Sequence, residues 1–319
     1  MFNISFHIVF LSAVEIFLMG AVGYWLIKAK ILPREGLKFL NYLFLHIFLP
    51  CFIFSAFIEK FSFDQYPNWW IFPLIGMIMT FAAMAVGKIV LLGVKNIQNK
   101  NEFLALSSFQ NSGYIPLVMA STILPAAQAQ EVHVYIFLFL IGFNLLIWSF
   151  GVWLITKGKG QGFNPRNLLN PPLVATAVAL LVVFLGVDRF LPDVIMNPVR
   201  GFGACALPIS IIFVGGNLAL IDITEKKYLK EIVVVVLTKL ILFPAIVLFV
   251  VYLLKIKSLV GLLIVLEATV PSALTLVALS HYYKSKEHYI SQAIFYGYLV
   301  SIVTVPIFLT LYQILIKAY

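Results

Sequence analysis

Ten runs of mostly apolar residues, each about the length of a membrane-crossing helix, fill most of this 319-residue chain. They lie at 4–27, 37–58, 69–93, 102–124, 133–156, 168–187, 200–220, 231–254, 258–281 and 289–316. A helix rising ~1.5 Å per residue needs about 20 apolar residues to cross a ~30 Å hydrocarbon layer. In lipid every backbone amide must find a partner within a helix or a closed barrel. A barrel would read as alternating segments of about ten residues, and these runs do not alternate. The expected fold is an all-α polytopic membrane protein with ten transmembrane helices.

Composition excludes the soluble alternatives. Hydrophobic residues make up 62% of the chain and charged residues 11%, against about 25% charged in an average soluble domain. The mean hydropathy is +1.03. The bilayer is therefore part of the solvent. The net charge of +9 falls in short gaps between runs, with no basic stripe interleaved with aromatics, so nucleic acid is not an expected partner. Cys51 and Cys205 sit inside apolar runs and read as small core residues. Residues 1–10 hold no lysine or arginine and the first run carries Glu15. That run reads as a membrane helix, not a signal peptide.

Lysine and arginine set the orientation. With the N-terminus outside, the inside gaps carry fourteen basic residues: Lys28, Lys30, Arg34, Lys38, Lys95, Lys100, Lys157, Lys159, Arg166, Lys226, Lys227, Lys230, Lys284 and Lys286. The outside gaps carry six. A multi-pass protein of the cell membrane with both termini outside is expected.

The longest internal gap, KGKGQGFNPRN at 157–167, divides the chain into 1–156 and 168–319. Five spans per half is an odd number, so the second half enters the membrane from the opposite side. Two inverted five-helix repeats follow. Prolines support the pairing: Pro50 and Pro208 are 158 residues apart, Pro116 and Pro271 155. Spans four and nine are expected to be broken helices that cross.

Polar residues gather at those breaks. Span four carries QNSGYIPL, with Asn111, Ser112, Gly113, Tyr114 and Pro116; span nine carries EATVPSALT, with Glu267, Thr269, Pro271 and Ser272. Asn111 and Glu267 each lie nine residues into their span, about 13 Å deep and near the midplane. An ionisable group there is a functional candidate. Each proline frees the carbonyl four residues back. Freed carbonyls and a carboxylate suit Na⁺ or H⁺, and a resumed helix N-terminus suits an anion. Read singly, Asn111 and Ser112 are equally helix glue, Tyr114 a packing aromatic, and Thr269 and Ser272 hydroxyls that bond back to their own helix. Glu15, His46 and Lys239 are secondary candidates. Lys239 could neutralise Glu267 or an anionic substrate, or snorkel to the inner face.

No HExxH, CxxC, phosphate-binding glycine loop or GxSxG elbow occurs, so an enzyme is not expected. A non-transporting sensor or intramembrane enzyme is the competing class.

NSGYIPL, NPPLVATAVALL, ALPISIIFVGGNLAL, TKLILFPAIV and EATVPSALTLVALSHYY, in this order, resemble the bacterial auxin efflux carrier family. That family is related to the plant PIN-type carriers and, more distantly, to the bile acid:sodium symporters. The resemblance covers essentially the whole chain. It implies a scaffold of spans 1, 2, 6 and 7, with a transport domain of spans 3–5 and 8–10 moving as an elevator. Asn111, Ser112, Gly113 and Pro116 would fall on the first crossover, and Thr269, Pro271 and Ser272 on the second, with Tyr114 lining the site. The implied activity is secondary transport of a small organic anion, a carboxylate or auxin-like weak acid, coupled to Na⁺ or H⁺; a bile-acid-like sodium symporter is the alternative. No cofactor is implied beyond Na⁺, held by Glu267 and Asn111 with Ser112 beside them. A homodimer through the scaffold is also implied. The chain departs from plant carriers at the second crossover, where Thr269 and Ser272 stand near the position of their asparagine.

A single cysteine placed in 157–167, in a background lacking Cys51 and Cys205, should react only with reagents that reach the cytoplasmic side. Labelling from outside would reverse the orientation.

Overall fold

The computed structural model describes residues 6–94, 97–156, 170–223, 227–283 and 285–317, with backbone alone at 316 and 317. The connector at 157–167, and Lys95, Lys226 and Lys284 of the charge argument, lie outside these residues. Among the described residues the chain is helical, joined by turns and one isolated β-bridge. In order these helices are α1 (Phe6–Lys28), α2 (Arg34–Leu43), α3 (Leu49–Lys60), α4 (Ile71–Gly93), α5 (Lys100–Ser108), α6 (Ile115–Ile123), α7 (Ala126–Leu146) and α8 (Val152–Thr156). Then follow α9 (Pro171–Phe184), α10 (Asp193–Ala204), α11 (Ala206–Ala219), α12 (Leu229–Leu237), α13 (Phe243–Leu253), α14 (Leu259–Thr269), α15 (Thr275–Tyr282) and α16 (Glu287–Lys317).

Seven helical stretches among the described residues are long and apolar enough to cross a membrane: Phe6–Lys28, Arg34–Lys60, Ile71–Gly93, Ala126–Thr156, Asp193–Ala219, Leu229–Leu253 and Glu287–Leu315. The other three expected spans differ. The run at 168–187 supplies the 14-residue α9. The runs at 102–124 and 258–281 are each split, into α5 and α6 and into α14 and α15. Ten apolar runs therefore do not become ten continuous helices: spans four and nine are broken, as the prolines led one to expect, and span six is short.

Prolines act in two ways. Pro50 does not break its helix: a π turn, Phe44–Phe48, lies just before it and joins α2 to α3. A second π turn, Thr238–Leu242, precedes Pro244 and joins α12 to α13. Widening the turn accommodates a ring that would otherwise press on the carbonyl four residues back. Pro116 and Pro271, in contrast, border true interruptions.

Glycines set the closest helix contacts. α1 packs along α11, and α4 along α7. A Cβ on Gly215 would overlap the carbonyl of Gly20, and one on Gly23 the carbonyl of Ile212. Gly76 and Gly142 meet the backbones of α7 and α4 in the same way. In lipid, where apolar surface alone does not drive helices together, such backbone approach is a main source of association. At the start of α5, Glu231 accepts the N–H groups of Gln98 and Asn99 at 3.3 and 3.2 Å and the Asn99 amide at 3.2 Å. A carboxylate there complements the helix N-terminus and ties α12 to α5.

Gly215→Val should lower the thermal stability of the purified protein by about 1–3 kcal/mol, since the new methyls meet backbone. Gly93→Ala, with nothing within 4 Å of its Cβ position, should leave the melt unchanged.

Candidate functional site

The interruption between α5 and α6 and the one between α14 and α15 meet. Their chains run antiparallel, with Gln110 bridged to Ser272. The Asn111 N–H donates to the Pro271 carbonyl at 2.8 Å, and the Ala273 N–H to the Phe109 carbonyl at 2.9 Å. The Ser272 hydroxyl donates to the Leu106 carbonyl at 2.6 Å, an acceptor at the open end of α5. Non-helical backbone inside a membrane is tolerated only where protein supplies such partners. Each broken helix supplies them to the other.

Around this crossing sits a buried polar cluster. Gln110, Ser112, Glu267 and Lys239 are each at most 2% exposed. Ser112 and Gln110 lie beside the Glu267 carboxyl, and Lys239 is within Coulombic reach of it. None of these contacts closes in hydrogen-bond geometry: both Glu267 oxygens, both Gln110 amide atoms, the Ser112 hydroxyl and the Lys239 Nζ lack a partner. Lys239 comes from the π turn Thr238–Leu242, which packs against α14. Its Nζ stands 5.1 Å from the centroid of the Phe243 ring. Removing an ion from water costs several kcal/mol even after relaxation, so four unpaired polar groups in one place make the crossing the candidate site. Pro271 has no N–H to offer the Glu267 carbonyl four residues back.

The other expected residues divide. The Asn111 side-chain amide donates to the Tyr298 hydroxyl of α16, so Asn111 turns towards α16 and Gln110 takes the place near Glu267. Thr269 bonds back to Leu266 at 2.9 Å within its own helix. Tyr114 stacks between Phe44 and Phe213, at ring-centroid distances of 5.2 and 5.7 Å. A Cβ on Gly113 would meet nothing within 4 Å, so this glycine is not required for close approach. Pro116 sits at the start of α6. Glu15 and His46 are exposed on their helices. His46 bonds to the Tyr42 carbonyl at 2.9 Å and stacks on the Tyr42 ring at 3.9 Å. Neither has a contact with the crossing.

Sequence reasoning missed Gln110 and Tyr298 as site residues. Gln110 opens the polar run and carried its own signal. Tyr298 is one aromatic in the apolar run FYGYLVS, with nothing local to distinguish it.

Tyr298 also borders a cavity of about 300 Å³. Its walls include Gly20 and Tyr24 of α1, Met119 of α6, Val214 of α11 and Ser301 of α16. The lining is apolar apart from a few hydroxyls. Size and character suit the body of a small organic molecule.

Comparison with known proteins gives this geometry a context. The family model described as membrane transport protein matches residues 8–167 and 160–309, nearly the whole chain. The chain belongs to the membrane transport protein family. This family includes the auxin efflux carriers that its motifs resemble. Protein PIN-LIKES 2 of Arabidopsis thaliana is 27% identical to it over 97 residues, 30% of this chain and 21% of the relative. An uncharacterized transporter of Saccharomyces cerevisiae is 25% identical over 171 residues, 49% of this chain and 40% of the relative. The matched segments thus span less than half the length of either relative. With seven long apolar helices among the described residues, this family member is a multi-pass membrane protein.

Ser272→Ala should destabilise the protein by about 1–3 kcal/mol, because the Leu106 carbonyl loses the Ser272 hydroxyl. Thr269→Val, which removes only a bond within one helix turn, should cost less; comparing the two melts checks this.

Proposed function

We propose that the chain is a secondary active transporter of a small organic anion, a carboxylate or auxin-like weak acid, working by elevator-type alternating access in the cell membrane. The observation that carries this reading is the cavity beside Tyr298. It lies between α1 and α11 on one side and α6 and α16 on the other. These are the groups expected to form scaffold and transport domain.

The chemistry divides along the same line. The apolar walls take the body of the substrate. The Tyr298 hydroxyl, held by Asn111, presents a polar group at the edge nearest the crossing. The N–H groups at the start of α6 offer partial positive charge to a carboxylate. Glu267, buried a few residues from the second break, is the group through which a cation gradient, H⁺ or Na⁺, acts on the cycle. Two broken helices paired through backbone bonds move as one body, so the site travels with them. The closing contacts of α1 with α6 and α16 are the surface across which such a movement slides. Both termini are taken as outside.

Uptake into proteoliposomes across a panel of radiolabelled carboxylates, with and without an imposed ion gradient, tests the reading. At least one substrate should accumulate. Tyr298→Phe and Asn111→Ala should each reduce its uptake about 10-fold or more, as expected for loss of one or two polar contacts at ~1.4 kcal/mol per decade. Glu267→Gln should uncouple uptake from the gradient. Absence of flux for every substrate, from protein that melts cooperatively, would sink the proposal.

A further inference from the structure

The resemblance implies Na⁺ at Glu267, Asn111 and Ser112, and the crossing allows that fit to be tested against its own residues. Oxygen donors are present. The Glu267 carboxylate, the Ser112 hydroxyl and the Gln110 amide oxygen are buried without hydrogen-bond partners, and hard cations take oxygen ligands. The Asn111 amide nitrogen donates to Tyr298, a bond that leaves its amide oxygen as a further oxygen donor.

Charge is the obstacle. Lys239 is 2% exposed, its Nζ has no hydrogen-bond acceptor, and its electrostatic partner is Glu267. The Phe243 ring lies 5.1 Å from that Nζ, and an aromatic face favours a cation over a neutral amine. The lysine is delivered to this depth by the first three residues of the π turn, Thr238, Lys239 and Leu240, which are inside the protein while Ile241 and Leu242 are exposed. A sodium ion at Glu267 would set two cations against one carboxylate where water cannot screen them. The donor set alone would suit sodium, but the donor set together with Lys239 does not.

We propose that Lys239 is the built-in cation of the crossing: its ammonium takes the electrostatic place of a coupling sodium ion beside Glu267, and the carrier works without sodium. This rests on reading Glu267 as the coupling carboxylate, and it makes Lys239 a specificity-determining residue. The lysine neutralises the acid across a gap, without touching it, which leaves the acid's oxygens open to Ser112 and Gln110. Removing the lysine's charge should turn the same oxygens into a sodium site.

Sodium itself is the probe, and thermal melting of the purified full-length protein is the readout, so the result does not depend on knowing the substrate. Wild-type protein should melt at the same temperature in sodium chloride and in choline chloride at equal concentration. Lys239→Met should gain a sodium-specific rise of about 3 °C or more that saturates with concentration. Lys239→Arg should behave as wild type. Adding Glu267→Gln to Lys239→Met should abolish the rise. Should Lys239→Met give no cooperative melt in choline, recovery of one in sodium supports the proposal, and Lys239→Gln repeats the comparison. A sodium-specific rise in the wild type that Glu267→Gln removes would overturn it. So would a folded Lys239→Met or Lys239→Gln protein with no sodium response. Failure of transport in proteoliposomes would bear on the carrier reading and leave these melts unaffected.

Discussion

Two backbone hydrogen bonds hold the centre of this protein together: Asn111 to Pro271, and Ala273 to Phe109. Each joins one interrupted helix to the other. An interrupted helix in lipid leaves N–H and C=O groups without partners, at a cost of several kcal/mol each. Either break alone would be untenable. Paired antiparallel, each satisfies the other, and Ser272 covers a carbonyl the ladder does not reach. The polar cluster, the cavity edge and the path of α16 are arranged around that pairing.

The crossing creates a place where charge can be held without water. Glu267 and Lys239 arrive on different helices, one beside the second break and one from a π turn. The π turn matters because it lets Pro244 continue a helix instead of ending it. A carboxylate and an ammonium can then face each other across a buried gap. The neighbouring Asn111–Tyr298 bond connects the crossing to the wall of the cavity. A change at the acid and a change at the cavity are thereby carried by the same short segment of chain.

Much of this was legible in the chain itself. Length and hydropathy identify a polytopic helical protein, because no soluble fold covers so much apolar surface. Pro116 and Pro271 mark the two breaks, since a missing N–H in an apolar run has few other uses. Glu267 stands out because an acid is costly in lipid. The rest needed three dimensions. Pro50 looks like Pro271 in one dimension, yet the first is absorbed by a π turn and the second borders an opening. Gly113 lies in the polar run of the first break, yet the space beside it is open. Glu15 and His46 have the depth and chemistry of site residues, and both face outward from the bundle.

The sequence by itself determined that this chain lives in a membrane, that two of its helices are broken at polar runs, and that one acid is buried among them. These follow from composition and local bonding, which act along the chain. Only the tertiary structure decided that Gln110 and not Asn111 lies beside Glu267, that Asn111 bonds to Tyr298, and that Lys239 reaches the crossing. Those pairings join residues up to 187 positions apart. Which side chains meet at a crossing depends on helix rotation and turn width, and neither is encoded by any single stretch of residues.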